Sequence, residues 1–245
     1  MRCLSLLVLS FVVVGSISLG QTSRSAQAYH NRANERYVKG ELDGAIADYS
    51  IAIAFDPRMA LAYFDRGNAC KAKGDLDAAI ADYSRSIEID PRHAASYINR
   101  GNAWQDKGEL ARAITDFDMA IKISPRFVLA YINRGSARQE QGDLGKALED
   151  FNQAINFDPL AALAYNNRGV VWFTRGDLHK AMADFERAIE INPRYASAHL
   201  NRGLVRLLQG QTAEAEKDFD QCLKLDSALK ASLEESVKRV RQQRK

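Results

Sequence analysis

Hydrophobic and polar positions follow a pattern that recurs every 34 residues along most of the chain. In residues 60–93, small and apolar side chains return at three- and four-residue intervals, for example Tyr63 and Gly67, then Ala79 and Tyr83. This spacing places the side chains on one face of an α-helix. The pattern therefore predicts amphipathic helices rather than strands.

Each repeat contains two such helices. Gly74 and Asp75 separate the two halves of the unit, and Pro91 ends the second half because proline cannot continue a helix. One helical hairpin cannot bury its apolar face alone, so units of this length are expected to stack into a solenoid. Six units follow one another without a gap: residues 26–59, 60–93, 94–127, 128–161, 162–195 and 196–229.

Positions numbered 1 to 34 within a unit keep their residue type. Position 20 is alanine throughout, position 32 is proline in five units, and position 8 is Ala33 and then glycine. Position 4 is Tyr29, Tyr63, Tyr97, Tyr131, Tyr165 and His199, and position 24 is Tyr49, Tyr83, Phe117, Phe151, Phe185 and Phe219. This pattern resembles the tetratricopeptide repeat family. The resemblance implies an all-α fold, a right-handed α-solenoid whose first helices line a concave groove, and a protein or peptide partner.

The first 20 residues differ from the repeats. Arg2 precedes an apolar run that ends in small residues, which is the layout of a signal peptide. We predict that residues 1–20 are removed, that residues 21–25 form a short linker, and that the protein is periplasmic or secreted. The alternative is an uncleaved membrane anchor at residues 4–19, although this run is shorter than the roughly 20 residues that a span requires.

Residues 230–245 follow the last unit and place Leu233, Val237 and Val240 on one helical face. A solenoid needs a terminal element with a polar outer side, so this segment is predicted to be a capping helix. It also carries six basic and two acidic residues. Its outer face is therefore an alternative docking surface for an anionic partner.

An arginine occupies position 7 of every unit, at the edge of the predicted core. A half-buried charge requires a partner, and position 23 of the facing helix is always aspartate. In an antiparallel hairpin these two positions are opposite each other. We expect a structural ladder of six ion pairs, which fixes helix register: Arg32–Asp48, Arg66–Asp82, Arg100–Asp116, Arg134–Asp150, Arg168–Asp184 and Arg202–Asp218.

Amide side chains, with one carboxylate at Asp65, follow the opposite face of the first helices. An asparagine amide can both donate to and accept from a peptide bond, whatever the side chain of that residue. The row therefore predicts recognition of an extended peptide backbone, and the alternative is a solvated polar face. We expect these side chains to make few bonds within the protein. The residues are Asn31, Asp65, Asn99, Asn133, Asn167 and Asn201 at position 6, with Asn34, Asn68 and Asn102 at position 9.

The C-terminal end of the same face is apolar. A patch of this kind marks a contact surface. Either a partner, the C-terminal helix or a second copy of the chain would cover it. The residues are Leu163, Val170, Phe173, Leu200, Leu204, Leu207 and Leu208.

Composition adds little chemistry to this picture. The net charge is +3, and the basic C-terminal segment accounts for it, so the repeats themselves give no basic stripe for nucleic acid. Cys70 and Cys222 occupy core positions and are expected to be buried thiols. The four histidines fall at different repeat positions, and no motif for a metal, a cofactor or catalysis is present.

These observations favour an exported, monomeric, non-enzymatic adaptor that binds a protein or peptide segment in its groove. The alternative is a structural subunit of a cell-envelope assembly, docked by its flanks and basic tail, with no peptide in the groove.

Overall fold

The computed structural model describes residues 19–243, and within this range every regular element is helical. The described range contains thirteen α-helices and one 3₁₀ turn, Ser227–Leu229. The helices are α1 Leu19–Val38, α2 Leu42–Phe55, α3 Ala60–Ala72, α4 Leu76–Ile89, α5 Ala94–Asp106, α6 Leu110–Ile123, α7 Val128–Glu140, α8 Leu144–Phe157, α9 Ala162–Thr174, α10 Leu178–Ile191, α11 Ala196–Leu208, α12 Thr212–Leu225 and α13 Lys230–Gln243.

The helices pack as a one-dimensional stack of hairpins. Each of α1 to α11 packs against the next helix in sequence, and the odd-numbered helices from α1 to α11 also contact one another in succession. Each predicted unit therefore forms one hairpin, and the first helices lie side by side. This arrangement confirms the predicted all-helical solenoid.

A glycine ends the first helix of each hairpin. Gly108, between α5 and α6, has φ +78°, a left-handed conformation that side chains other than glycine rarely adopt. The acidic residue that follows the turn begins the second helix. Asp75, Asp143 and Asp177 each accept a bond from the backbone N–H three residues on, whereas Glu41 and Glu109 make no such bond. Aspartate has the shorter side chain that N-capping favours.

Close packing of an aromatic ring on a glycine joins the two helices of most hairpins. The ring of Phe117 is fully buried, and a Cβ atom built on Gly101 would lie 2.6 Å from its Cε1 atom. Real Cβ contacts are longer, so an alanine at this position would displace the ring. The small residues at position 8 therefore set the separation of the helices.

The N-terminal boundary differs from the sequence prediction. Helix α1 begins at Leu19, so residues 21–25 are helical and the predicted linker is corrected. The 34-residue pattern begins at residue 26, whereas helix α1 extends about two turns before that point. The proposed signal segment lies almost wholly outside the described residues. Among the residues described, no helix has the length and apolar character of a membrane span.

Helix α13 caps the other end of the stack, as predicted. Leu233 and Val240 are buried, and they form one core cluster with Leu200, Leu204 and Leu207 of α11. The C-terminal helix thus covers much of the apolar groove end. The sequence alone did not decide whether a partner, this helix or a second copy of the chain covers it.

Candidate functional site

The candidate binding surface is the face along which the first helices α1, α3, α5, α7, α9 and α11 lie side by side. We call its position 6 and position 9 residues the groove row: Asn31, Asp65, Asn99, Asn133, Asn167, Asn201, Asn34, Asn68, Asn102, Ser136, Val170 and Leu204. The amides at position 6 from Asn99 to Asn201 are half-buried rather than freely solvated. Their surroundings therefore decide what they can still bind.

Adjacent repeats are linked by bonds within the groove row. The side-chain nitrogen of Asn99 donates to Oδ1 of Asn68 at 2.7 Å, and Asn133 donates to Asn102 at 2.9 Å. Asn167 donates to the hydroxyl of Ser136 at 3.2 Å. In each case the position 6 side chain of one repeat donates to the position 9 side chain of the preceding repeat.

The prediction that these amides make few internal bonds is wrong. It considered each helix alone, where positions 6 and 9 are both simply far from the core. Stacking brings position 6 of one unit against position 9 of another, 31 residues earlier in the chain. Part of the hydrogen-bonding capacity of the row is therefore used to hold the solenoid together.

Three amide oxygens of the row accept no bond within the described residues, whereas the other five already accept one or more. Nδ2 is the bonded atom of Asn99 and Asn133, and their Oδ1 atoms accept no bond within residues 19–243. The same holds for Asn201, whose nitrogen donates to Asn166. The oxygens of these three residues can therefore accept from the backbone N–H groups of a bound chain.

Two junctions use position 5 instead of position 9, and the sequence analysis missed both. Nε2 of His30 lies 2.8 Å from Oδ2 of Asp65, and Nδ2 of Asn201 lies 2.9 Å from Oδ1 of Asn166. His30 and Asn166 are buried. The available signal was their polarity at a position where Ile98 and three other units have apolar residues.

Tyrosine hydroxyls bond the position 9 amides of the first two repeats. The hydroxyls of Tyr49 and Tyr83 donate to Oδ1 of Asn34 and Asn68 at 2.6 and 2.9 Å. Burial raises the pKa of both tyrosines well above the ordinary value, so they are neutral donors. The later repeats have phenylalanine here and lack this bond.

The predicted apolar end is largely enclosed. Leu200, Leu204 and Leu207 are buried and Leu208 is half-buried, whereas Leu163 is 41% exposed on the outer edge. Val170 and Phe173 line a cleft of about 740 Å³ with α11 and α13. We call this space the end cleft. The seven apolar residues therefore do not form one open patch.

The structure contains all six predicted arginine–aspartate pairs. Arg100 donates from Nε and Nη2 to the two carboxylate oxygens of Asp116, at 2.8 and 2.7 Å. The other pairs have the same pattern: Arg32–Asp48, Arg66–Asp82, Arg134–Asp150, Arg168–Asp184 and Arg202–Asp218. Each aspartate is buried, so each carboxylate requires a cationic partner. Asp48, Asp150 and Asp218 also bond a second arginine.

The ladder also joins consecutive repeats, which the sequence analysis did not predict. Nη1 of Arg100 donates to the hydroxyl of Ser84 in the preceding unit at 2.9 Å. Position 25 provides the same contact to three other arginines, through Ser50, Asp118 and Asn152. The hydrogen bond to Asp116 raises the pKa of Arg100, and the bond from Arg32 lowers the pKa of Asp48. These charges are neutralised within the protein.

Other chemistry is sparse in the described part of the chain. No group of three or more histidine, cysteine or acidic residues within it could hold a metal ion. Cys70 and Cys222 are buried free thiols, and burial raises the pKa of each. The arrangement offers polar and apolar surface for binding.

Family comparisons agree with the repeat pattern. Models described as "TPR repeat" and "Tetratricopeptide repeat" match residues 33–74, 67–108, 135–174, 162–195 and 184–217. No curated protein matches the sequence. These matches extend over most of the hairpins.

Solved structures show the same architecture. MamA is 27% identical, with a TM-score of 0.57 over 66% of this chain and 95% of that one. Pseudomonas aeruginosa pilF is 14% identical, with a TM-score of 0.72 over 84% and 94% of the two chains. YrrB, described as a TPR protein with an unusual peptide-binding site, is 20% identical, with a TM-score of 0.56 over 78% and 97%. The last two comparisons support the fold alone.

Proposed function

Because this chain belongs to the tetratricopeptide-repeat family, we propose that it is a non-enzymatic adaptor that holds an extended segment of a partner protein along the groove row. The fold is a scaffold for protein–protein interaction. The observation that carries the finer proposal is the set of unoccupied amide oxygens on Asn99, Asn133 and Asn201. Asn99 and Asn133 are one repeat apart, and Asn201 lies two repeats further along because the oxygen of Asn167 already accepts from Asn166.

The chemistry of these oxygens suits a peptide main chain. Each can accept one backbone N–H, and backbone groups are the same in every sequence. Because Nδ2 is already bonded to the neighbouring repeat, the amide is held in place before a ligand arrives. A preorganised acceptor loses less side-chain entropy on binding. The row is thus proposed to supply affinity with little selectivity for side chains.

A structural subunit remains the second candidate, and one observation favours it. The row amides already have a role inside the solenoid, since their nitrogens join successive repeats. A protein of this kind would dock through its flanks or through the basic outer face of α13, and its groove would stay empty. It would co-purify with fixed partners at constant stoichiometry.

Selection of peptides separates the two candidates. A displayed library of random 12-residue peptides is panned on the purified protein, and enriched sequences are resynthesised with blocked ends. The adaptor proposal expects unrelated sequences to be enriched and to bind with micromolar dissociation constants. If no peptide is enriched while fixed protein partners co-purify, the groove proposal fails and the subunit role replaces it.

We further propose export of the protein as a monomer. The motivating features are Arg2 with the following apolar run, and the cap that α13 places on the apolar end. Cleavage after Gly20 would remove only the first two residues of α1. The intact mass of the native protein tests this: a start near Gln21 supports cleavage, and a full-length membrane-bound form contradicts it. Sedimentation of the same sample checks the monomer.

A further inference from the structure

The end cleft has two chemically different sides. Val170 and Phe173 of α9, with Leu204 and Leu208 of α11, provide an apolar wall. Its volume of about 740 Å³ lies in the range of protein ligand sites, roughly 300 to 1,000 Å³. The wall can therefore accept one or more bulky apolar side chains.

Helix α13 provides the opposite side. Ser232, Ser236 and Arg239 lie on one face of that helix, and all three line the cleft. Their side chains can all donate hydrogen bonds, and none is acidic. Arg239 has no ion pair or hydrogen bond to any residue between 19 and 243. This cation is thus available to an anionic group of a ligand.

The end cleft is continuous with the groove row. Asn201 belongs to both, because its side chain lines the cleft while its nitrogen is bonded to Asn166. A chain lying along the row would pass its next side chain into the cleft. This connection favours a peptide over a separate small lipid as the occupant.

We propose that the end cleft selects partner segments in which a bulky apolar residue is next to an acidic residue. The apolar side chain packs against Val170 and Phe173, and the carboxylate pairs with Arg239. The inference rests on the proposed function, because it assumes that a peptide occupies the row. It adds the side-chain selectivity that the row itself lacks.

The test uses the peptides enriched on the purified full-length protein and their affinities for variants. Arg239→Gln is expected to weaken binding about tenfold, as for loss of a charge-assisted hydrogen bond. Arg241→Gln removes the same charge from the same helix but does not line the cleft, so its effect should stay below about twofold. Val170→Phe and Ser236→Phe fill the cleft from opposite sides and should each weaken binding at least about tenfold. Melting temperatures identify any variant that fails to fold.

The outcomes separate this inference from the proposed function. The end-cleft proposal is overturned if the enriched peptides lack the apolar–acidic pair, or if they bind all four variants equally. Either result leaves the proposed role of the groove row unchanged. Tight binding of dodecanoate in place of peptides also overturns it, because a lipid would then be the occupant. Failure of every peptide to bind contradicts the proposed function itself.

Discussion

At the scale of single residues, the position 7 arginines of the second to fifth repeats each join three separate helices. Arg100 contacts Asp116 in the second helix of its own unit, Ser84 in the preceding unit, and the ring of Tyr97, whose centroid is 5.7 Å from its Cζ atom. A leucine in this place could pack but could not satisfy Asp116. The arginine therefore sets both the register of a hairpin and its stacking.

Loss of this arginine should destabilise the protein because a buried carboxylate loses its partner. Arg100→Leu is expected to cost on the order of 1 to 3 kcal/mol in the free energy of unfolding. Adding Asp116→Leu should recover part of that cost. Arg85→Leu, in an exposed pair with Glu88, should cost below about 0.5 kcal/mol. Denaturant titrations measure these three variants and Asp116→Leu alone. A double-mutant cycle that shows no coupling between Arg100 and Asp116 refutes the ladder.

The aspartate of the first repeat gives the pH dependence of the same ladder. The bond from Arg32 lowers the pKa of Asp48 below its value in the unfolded chain. A lowered pKa contributes stability above the unfolded pKa, about 4, and this contribution disappears as the pH falls through the folded value. The stability difference between the natural protein and Asp48→Asn should therefore be constant near neutral pH and shrink below about pH 4. A difference that is independent of pH in acid contradicts this assignment.

Glycine at position 8 can be tested against a second helical glycine. Gly101→Ala would place a Cβ atom 2.6 Å from Phe117, so overpacking of about 1 to 3 kcal/mol should exceed any gain in helix propensity. Gly145→Ala meets no atom closer than 3.7 Å, so it should be neutral or stabilising by up to about 1 kcal/mol. Thermal unfolding of the two variants gives the comparison. Equal effects would mean that the ring contact does not set the helix separation.

At the scale of helices, the sequence predicted the hairpins and their turns because these depend on residues close in the chain. Gly108 and Pro125 mark the ends of helices within one unit, and the Arg100–Asp116 pair lies within one hairpin. The bonds from Asn99 and Asn133 were not predicted because they join helices of different units. A helical wheel gives the direction of a side chain but not the neighbouring helix that it meets.

The start of each second helix gives a prediction at this scale. Glu109 begins α6 without a side-chain cap, whereas Asp143 caps α8 by accepting from the N–H of Lys146 at 3.1 Å. Glu109→Asp should therefore supply a missing cap and stabilise the protein by roughly 0.5 to 1 kcal/mol. Asp75→Glu should have the opposite effect. The melting temperatures of the two variants should change in opposite directions. A change in the same direction would show that the side-chain cap does not determine the stability at this position.

At the scale of the whole molecule, the solenoid has a graded groove. Amides that accept from tyrosine hydroxyls occupy the first two repeats, and amide oxygens without a partner in the described residues occupy the middle. The end cleft beside α13 lies at the C-terminal end. The repeat period predicted the stacking, and the face of α13 predicted the cap. The end cleft could not be predicted, since its shape depends on how α13 packs against α11.

The central claim is that the amide oxygens of the groove row bind a peptide backbone. The most direct measurement is the affinity of a selected peptide for the double variant Asn99→Ala with Asn133→Ala, which removes two acceptors and two bonds between repeats. The matched control is Ser84→Ala with Asn152→Ala, which removes two bonds between repeats on the arginine side. Both variants should lose similar stability, roughly 1 kcal/mol per bond.

The two variants should differ in binding. The groove variant is expected to bind about thirtyfold more weakly, which corresponds to two lost hydrogen bonds of about 1 kcal/mol each, and by a similar factor for peptides of different sequence. The control should bind within about twofold of the natural protein, since it leaves the groove unchanged. Equal affinity of the groove variant and the control, at equal melting temperature, would contradict backbone recognition by the groove row.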